Sequence, residues 1–257
     1  MRTNPYLKSR PGLPPEAYRF EAAGLQWLSE GEMCPPVPRI LDVGGDRLVL
    51  ETITSSPPSA SVAERFGRAL VHMHAQGADY FGELPPGCER GFIASLELPA
   101  GRWETFGSFY AQARIAPFLD GGSLSAADRR VLVDLIDALE SESTQVTGPR
   151  EAVARVHGDL WSGNLLWRRR DVVIIDPSAH GGHRLSDLAM LSLFAAPWLE
   201  EIIEAYASES EVMWPLWSGW RESLALHQVY PLLVHAVLFG GSYGAAAARA
   251  ACEALES

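Results

Sequence analysis

Apolar residues recur at helical spacing along much of the chain. Stripes with apolar residues three or four positions apart predict amphipathic helices over residues 60–76 and 125–142. The second of these helices begins at Ser125, which has the spacing of a capping box with the Asp three positions later. A third stripe, over residues 16–30, includes the carboxylate of Glu21. An acid on an apolar helix face requires a charged partner elsewhere in the fold.

Short apolar runs separated by polar turns predict strands. Residues 39–43 and 48–52 flank a Gly-Gly-Asp connection, and residues 165–167 and 172–175 flank four polar residues, so each pair is typical of a hairpin. Residues 6–8 have the composition of the end of another strand. Beyond these hairpins the C-terminal part of the chain is mainly helical in pattern.

Composition narrows the possible function classes. The 257 residues are 47% hydrophobic, which is enough for a sizeable core in one large domain or two lobes. The net charge of −11 argues against nucleic acid as a partner, because binding a phosphate backbone normally needs clustered cations. Three widely spaced cysteines imply neither a disulfide framework nor a zinc site. No apolar run approaches the length of a membrane span, so we expect no membrane partner and a cytoplasmic location.

One stretch carries a recognisable set of polar residues. Residues 156–176 read VHGDLWSGNLLWRRRDVVIID, in which Asp159 and Asn164 have the D-x-x-x-x-N spacing of kinase catalytic loops. In such loops the Asp accepts the proton of a substrate hydroxyl, and the Asn holds Mg²⁺. The second predicted hairpin returns Asp176 to the side of Asn164, where its carboxylate can ligate the same metal.

Each part of this stretch is a weak signal by itself. His-Gly-Asp occurs in many loops, and an Asp followed by Pro is often only a turn. Asp159 and Asp176 could then simply cap helices. The combination of the motif, the hairpin and the Asp at the strand end favours a phosphotransferase that uses ATP and Mg²⁺.

The residue identities in the motif are more specific than their spacing. HGDLWSGNLLW, followed by IIDPSAHGGHRLSDLAMLSLF, resembles the fructosamine kinase (ketosamine kinase) family, within the aminoglycoside-phosphotransferase and protein-kinase-like group. The resemblance covers roughly residues 6–245. It implies an α+β, two-lobe, protein-kinase-like fold. An N-terminal lobe with a small antiparallel sheet would span residues 1–55, and a larger, mainly helical C-terminal lobe residues 56–257, with the hinge near residues 51–58.

The resemblance also implies a nucleotide site. Lys8 would contact the ATP phosphates and pair with Glu21, although sequence pairing alone leaves open a surface Lys8 and a Glu21 on a helix face. Backbone groups of the hinge would bind the adenine, at Glu51, Thr52 and Ile53. The family places two further strands and a nucleotide-covering loop before this lysine, and only seven residues precede Lys8.

Other residues are candidates for substrate binding or for support. Trp161 would stack on the sugar, with a buried position in the core as the alternative. His157, His183 and Asp187 are assigned to structural support, Asp187 by holding the catalytic loop through backbone donors and His183 by orienting the same turn. For Asp187 the alternative is an ordinary position at a helix N-terminus. Arg114 is a candidate structural or substrate-binding residue, or an exposed residue on a helix.

The expected reaction follows from this family. It is ATP-dependent phosphorylation of a sugar hydroxyl of a ketosamine, a fructosamine or ribulosamine type of glycation adduct, which makes the adduct labile. Two alternatives stay open. One is a kinase for aminoglycosides or amino alcohols, which would share the catalytic residues. The other is a nucleotide-binding pseudokinase that lacks the phosphate-covering loop.

Overall fold

The computed structural model describes residues 5–10, 12–121 and 124–256. Its N-terminal part is a three-stranded antiparallel sheet covered by one helix, and the last strand of this sheet along the chain lies between the other two. The elements are β1 (Tyr6–Lys8), α1 (Pro15–Leu28), β2 (Ile40–Val43) and β3 (Leu48–Leu50). Proline occupies the first turn of α1, where no backbone N–H is needed for the helix ladder. The predicted helix and strands in this region are confirmed.

Helices are the main elements of the remaining chain. They are α2 (Ala60–Ala75), α3 (Phe106–Phe109), α4 (Ala126–Glu140), α5 (Thr144–Thr147), α6 (Leu185–Leu193), α7 (Leu199–Met213), α8 (Leu224–Phe239) and α9 (Tyr243–Glu256). The capping box predicted at Ser125 is present at the start of α4. Among the described residues, no helix is both long and apolar enough to cross a bilayer.

Helices α2 and α7 pack closely against each other. Gly67 in α2 faces α7 so closely that a Cβ atom there would collide with the carbonyl oxygen of Ile202. The absence of a side chain at Gly67 therefore sets how near the two helices approach. Phe66 and Leu70 on α2, with Ile203 on α7, are buried in the same apolar cluster.

Three pairs of short strands complete the described part of the fold, and two of these pairs were not predicted. β4 (Gly91–Ile93) and β5 (Leu96–Leu98) form an antiparallel hairpin inside residues 82–103. The Gly- and Pro-rich sequence of residues 82–103 predicts a long irregular loop, and this prediction is wrong in the middle of the segment. The strands have only three residues each, too few for a clear alternation, and Phe92 packs edge-on against Phe20 of α1 at 6.1 Å between ring centroids.

Two strand pairs position the catalytic motif. β6 (Ala154–Val156) pairs with β9 (His180–Gly182), and β7 (Leu165–Trp167) pairs with β8 (Val172–Ile174) as the predicted hairpin. The polar residues of the motif occupy the connections between these strands. The α+β class, with a small N-terminal sheet and a larger helical part, is confirmed.

Arg114 lies in the interior of the helical part. It belongs to a π-helical turn, Tyr110–Ile115, and is 1% exposed, so the alternative of a surface residue is wrong. Its guanidinium donates to the carbonyl oxygen of Pro99 at 2.8 Å and stacks over the ring of Phe109 at 4.5 Å. Arg114 also lines a small pocket together with Gly158 of the catalytic motif.

Candidate active site

The catalytic motif runs between β6 and β7 in a conformation that needs glycine. Gly158 has a φ of 78°, in the left-handed region that favours glycine. A Cβ at this position would also collide with the carbonyl oxygen of Ser178. The turn at Gly158 thus directs the chain from β6 towards Asp159.

The carboxylate of Asp187 stabilises this turn by hydrogen bonds to its backbone. Its two carboxylate oxygens accept hydrogen bonds from the backbone N–H groups of His157, at 2.8 Å, and Gly158, at 3.0 Å. Nε2 of His74 lies 3.1 Å from the same carboxylate, and Nδ1 of His74 lies 2.8 Å from the hydroxyl of Tyr206. Burial, the largest influence, would raise the pKa of Asp187, but the hydrogen bond and charge of His74 and the contacts of His157 bring this pKa below its ordinary value.

His157 links the catalytic loop to the segment that carries Asp176. The backbone N–H of Asp159 donates to Nδ1 of His157 at 3.2 Å, so Nε2 carries the ring proton and donates to the carbonyl of Ile175 at 2.9 Å. The carbonyl oxygen of His157 accepts from the N–H of Ser178 at 2.9 Å. Burial lowers the pKa of His157, which agrees with a neutral ring in this role.

Asp159 and Asn164 are hydrogen-bonded to each other. The amide nitrogen of Asn164 donates to the carbonyl oxygen of Asp159 at 2.8 Å and to its carboxylate at 3.1 Å. Burial raises the pKa of the Asp159 carboxyl to about 7, against the opposing effect of this hydrogen bond. A carboxyl group with a pKa near neutrality is suited to accept and release a proton under ordinary conditions.

Lys8 joins the N-terminal sheet to the end of the catalytic hairpin. Its ammonium nitrogen lies 2.5 Å from Oε2 of Glu21 and 2.9 Å from Oδ1 of Asp176, and the residue is only 8% exposed. Burial raises the pKa of Glu21 although Lys8 acts in the opposite direction. Asp176 itself has a φ of 55°, an uncommon conformation for a residue with a side chain.

These side chains face an open cleft of about 240 Å³. Its described lining includes Lys8, Glu21, Asp159, Trp161, Asn164 and Asp176. Trp161 is 40% exposed, so the alternative of a buried core Trp is wrong. The ring lies over Gly163, where a Cβ atom would collide with it, and meets Phe194 edge-on at 6.1 Å.

The donor set at the base of the cleft fits Mg²⁺. Because Asn164 turns its amide nitrogen towards Asp159, its amide oxygen is the group left to bind a cation. Asp176 adds a partly exposed carboxylate, and both are hard oxygen donors. Within the described ranges, no three His, Cys, Asp or Glu side chains form a complete metal site. Mg²⁺ is usually held by one or two protein oxygens together with substrate phosphates.

The predicted adenine-binding residues lie apart from this cleft. Glu51, Thr52 and Ile53 are not in its described lining. The backbone N–H of Glu51 is bonded within the sheet to the carbonyl of Arg39 at 2.9 Å, and its carboxylate accepts from the N–H of Arg39 at 3.0 Å. The adenine role of these three residues stays a prediction.

His183 lies at the start of α6 and away from the cleft lining. Its Nδ1 accepts from the backbone N–H of Leu185 at 3.2 Å, and its Nε2 lies 3.5 Å from the carboxylate of Glu151. The contact with Leu185 is in the turn that leads to Asp187. The roles of His74 on α2 and Tyr206 on α7 were not predicted, because their only signal was a place in a helical pattern. Arg10, which also lines the cleft, was not predicted either.

Comparisons with known proteins show which family the chain resembles. The family model described as fructosamine kinase matches residues 3–257 of the chain. A protein of Thermus thermophilus named as a ketoamine kinase is 31% identical over 245 residues, and the match covers 95% of this chain and 85% of that protein.

The chain also resembles solved structures. A protein from Thermobifida fusca assigned as a fructosamine-3-kinase is 40% identical with a TM-score of 0.89, over 99% of this chain and 86% of that chain. An aminoglycoside phosphotransferase is 15% identical with a TM-score of 0.58, over 98% of this chain and 86% of that chain. At such low identity the second similarity shows the shared protein-kinase-like fold alone.

Proposed function

Because the chain belongs to the fructosamine kinase family, and is therefore a phosphotransferase that uses ATP, we propose that it phosphorylates a sugar hydroxyl of a ketosamine. The acceptor would be a fructosamine or ribulosamine type of glycation adduct on a lysine or related amine. One observation carries the proposal: the cleft brings a partly buried carboxyl, Asp159, together with the Lys8–Asp176 contact and the amide of Asn164. The labile product gives the enzyme a role in removing glycation adducts.

Asp159 is the proposed catalytic residue. Its carboxylate orients the acceptor hydroxyl and takes the hydroxyl proton as the oxygen attacks phosphorus. The pKa of about 7 allows the ionised form to be populated at neutral pH while the group keeps enough basicity to accept the proton. Asn164 holds the carboxylate in place through its amide nitrogen, 3.1 Å away.

The N-terminal sheet supplies the proposed contact to ATP. Lys8, held by Glu21, presents its ammonium group at the cleft and binds the phosphates. Asn164 and Asp176 hold Mg²⁺, which when bound neutralises charge on the phosphate oxygens. Glu51, Thr52 and Ile53 bind the adenine through the backbone, in a hinge at residues 51–58 that separates lobes of residues 1–55 and 56–257.

Three residues are proposed as supports of the loop. Asp187 fixes the N–H groups before Asp159, and His157 ties the loop to the Asp176 segment. His183 orients the start of the helix that carries Asp187. Trp161 presents an aromatic face to the apolar side of the sugar ring at the cleft mouth.

The test is phosphate transfer to ribulosyl-lysine. Purified protein would be incubated with ATP, Mg²⁺ and ribulosyl-lysine, and the phosphorylated sugar would be detected by ³¹P NMR with ADP release measured in parallel. We expect ADP and phosphosugar in equal amounts. Faster transfer to an aminoglycoside or amino alcohol in the same assay would replace the ketosamine. ATP binding without transfer to any acceptor would indicate a pseudokinase.

A further inference from the structure

We propose that Arg10 is a second phosphate-binding residue, whose guanidinium contacts the phosphate chain of the nucleotide beside Lys8. This inference rests on the proposed function, since it assumes that the cleft takes ATP. Arg10 lies outside the catalytic motif of residues 156–176. The argument comes from how the backbone of Arg10 is held, from the state of its side chain, and from the charges around it.

The backbone of Arg10 is fixed by Tyr18. The N–H of Arg10 donates to the Tyr18 hydroxyl at 2.8 Å, and that hydroxyl lies 3.2 Å from the carbonyl oxygen of Arg10, to which it donates. Tyr18 is 2% exposed and belongs to the core between α1 and the sheet. The same carbonyl of Arg10 accepts from the N–H of Leu13 at 3.3 Å, which closes a turn. Both backbone groups of Arg10 are therefore anchored to the core.

The side chain of Arg10, unlike its backbone, is not anchored. It is exposed and lines the cleft, and it has no hydrogen bond or ion pair to any residue that the structure describes. Two other arginines of the N-terminal sheet each have an acid: Arg39 lies 3.3 Å from Glu51, and Arg47 lies 2.8 Å from Asp42. A long side chain on an anchored backbone, with its charge unpaired, is available to a ligand.

The charges of the cleft favour a second basic side chain beside Lys8. Its described lining has three acids, Glu21, Asp159 and Asp176, and its lysines and arginines are Lys8 and Arg10. Lys8 is already shared between two carboxylates, at 2.5 and 2.9 Å. Arg10 therefore reduces the formal excess of negative charge in this lining, which a phosphate chain would otherwise meet in full before Mg²⁺ binds. The Arg10 charge also reaches the base of the cleft, because it is among the positive groups that act against the burial-raised pKa of Glu21.

The position and chemistry of Arg10 suit this role. Arg10 lies two residues after Lys8, the last residue of β1, and both side chains line the cleft. A guanidinium offers a planar fork of N–H donors that binds two phosphate oxygens at once. Lys8 provides a compact charge deep in the cleft, and Arg10 provides a flexible fork nearer the solvent.

The test measures nucleotide binding by calorimetry, apart from any turnover. Arg10→Gln should weaken the binding of ATP and of ADP about tenfold or more, the usual effect of losing a charged hydrogen bond. Binding of adenosine, which has no phosphate, should stay within about twofold of the wild type by the same reasoning. Arg10→Lys should recover part of the loss. The matched control is Arg47→Gln, on the same sheet and paired with Asp42, which should bind ATP as the wild type does.

A second variant tests the anchoring by Tyr18. Tyr18→Phe removes the hydroxyl that holds both backbone groups of Arg10, and it should weaken ATP binding by less than Arg10→Gln, again without affecting adenosine. Unchanged ATP binding in Arg10→Gln, or equal weakening for adenosine, would overturn the role of Arg10. If the wild-type protein binds ATP but transfers no phosphate, the proposed function fails while the role of Arg10 in binding stands. If it binds no nucleotide, both fail.

Discussion

The ammonium group of Lys8 lies 2.9 Å from the carboxylate of Asp176, a contact between the N-terminal sheet and the end of the catalytic hairpin. Lys8 is also the only lysine in the chain, since the other 20 of its 21 basic residues are arginines. A compact ammonium with three donors can be shared between Glu21 and Asp176 and still reach a phosphate, whereas a planar guanidinium cannot easily do so. The use of the single lysine at this site, in a chain whose other basic residues are arginines, indicates that position 8 requires lysine.

Lys8→Met should abolish tight ATP binding and destabilise the protein. Losing one partner of a buried ion pair costs about 3–5 kcal/mol, which Glu21 can reduce by taking up a proton. Lys8→Met/Glu21→Leu should recover stability in urea unfolding but not ATP binding. Lys8→Arg keeps the positive charge, but its stability and its ATP binding should both stay below those of the wild type. ATP binding by the double variant at the wild-type level would show that Lys8 has no contact with the nucleotide.

Asp159→Asn should stabilise the nucleotide-free protein at high pH. The folded-state pKa of about 7 lies above the ordinary value of 3.8, so the folded protein binds more protons between these values. Stability is then lost as pH rises towards 7 and beyond. The variant cannot ionise, so its advantage in thermal unfolding should be clear at pH 8 and absent at pH 3.5. Asp46→Asn, at a side chain that is 83% exposed, is the control. An advantage independent of pH would refute the argument.

Asp187→Asn should have the opposite pH dependence. The folded-state pKa of Asp187 is below its ordinary value, so its contribution to stability is present at neutral pH and lost as pH falls through that pKa. The variant should lose about 2 kcal/mol or more at pH 7, because the loop N–H groups of His157 and Gly158 depend on this carboxylate. Urea unfolding at pH 7 and pH 3 would measure this. A penalty that does not shrink at low pH would contradict it.

Gly67→Ala should be more destabilising than an ordinary surface substitution. The added Cβ would collide with the carbonyl oxygen of Ile202, so α2 and α7 must separate at a cost of about 1–3 kcal/mol. Gly45→Ala is the control, because a Cβ there has no neighbour within 4 Å. Similar unfolding free energies for the two variants would show that the helix contact tolerates the methyl group.

Local patterns in the sequence were enough for much of the fold. The hairpin that returns to Asp176 and the capping box at Ser125 depend on residues close together in the chain, so their signals survive without tertiary information. The contact of Asp187 with the catalytic loop was anticipated as well, because the motif resembles one with that arrangement.

Long-range contacts could not be inferred in the same way. His74 meets Asp187 across 113 positions, and nothing in the sequence of α2 separates a buried hydrogen-bonded His from a packing one. The β4–β5 hairpin consists of strands stabilised by packing on α1, so its three-residue runs have no distinct pattern. The burial of Arg114 could not be inferred either, because it depends on packing against Phe109 and Tyr230.

The turnover of Asp159→Asn with ribulosyl-lysine tests the central claim most directly. Because the variant loses the proton acceptor but keeps the shape of the cleft, turnover should fall by roughly two to four orders of magnitude, while ATP binding by calorimetry should stay close to wild type. The measurement is the rate of phosphosugar formation by ³¹P NMR, with ATP affinity determined on the same preparation. Turnover at the wild-type rate would remove Asp159 from the reaction and contradict the assignment of this cleft as the catalytic site.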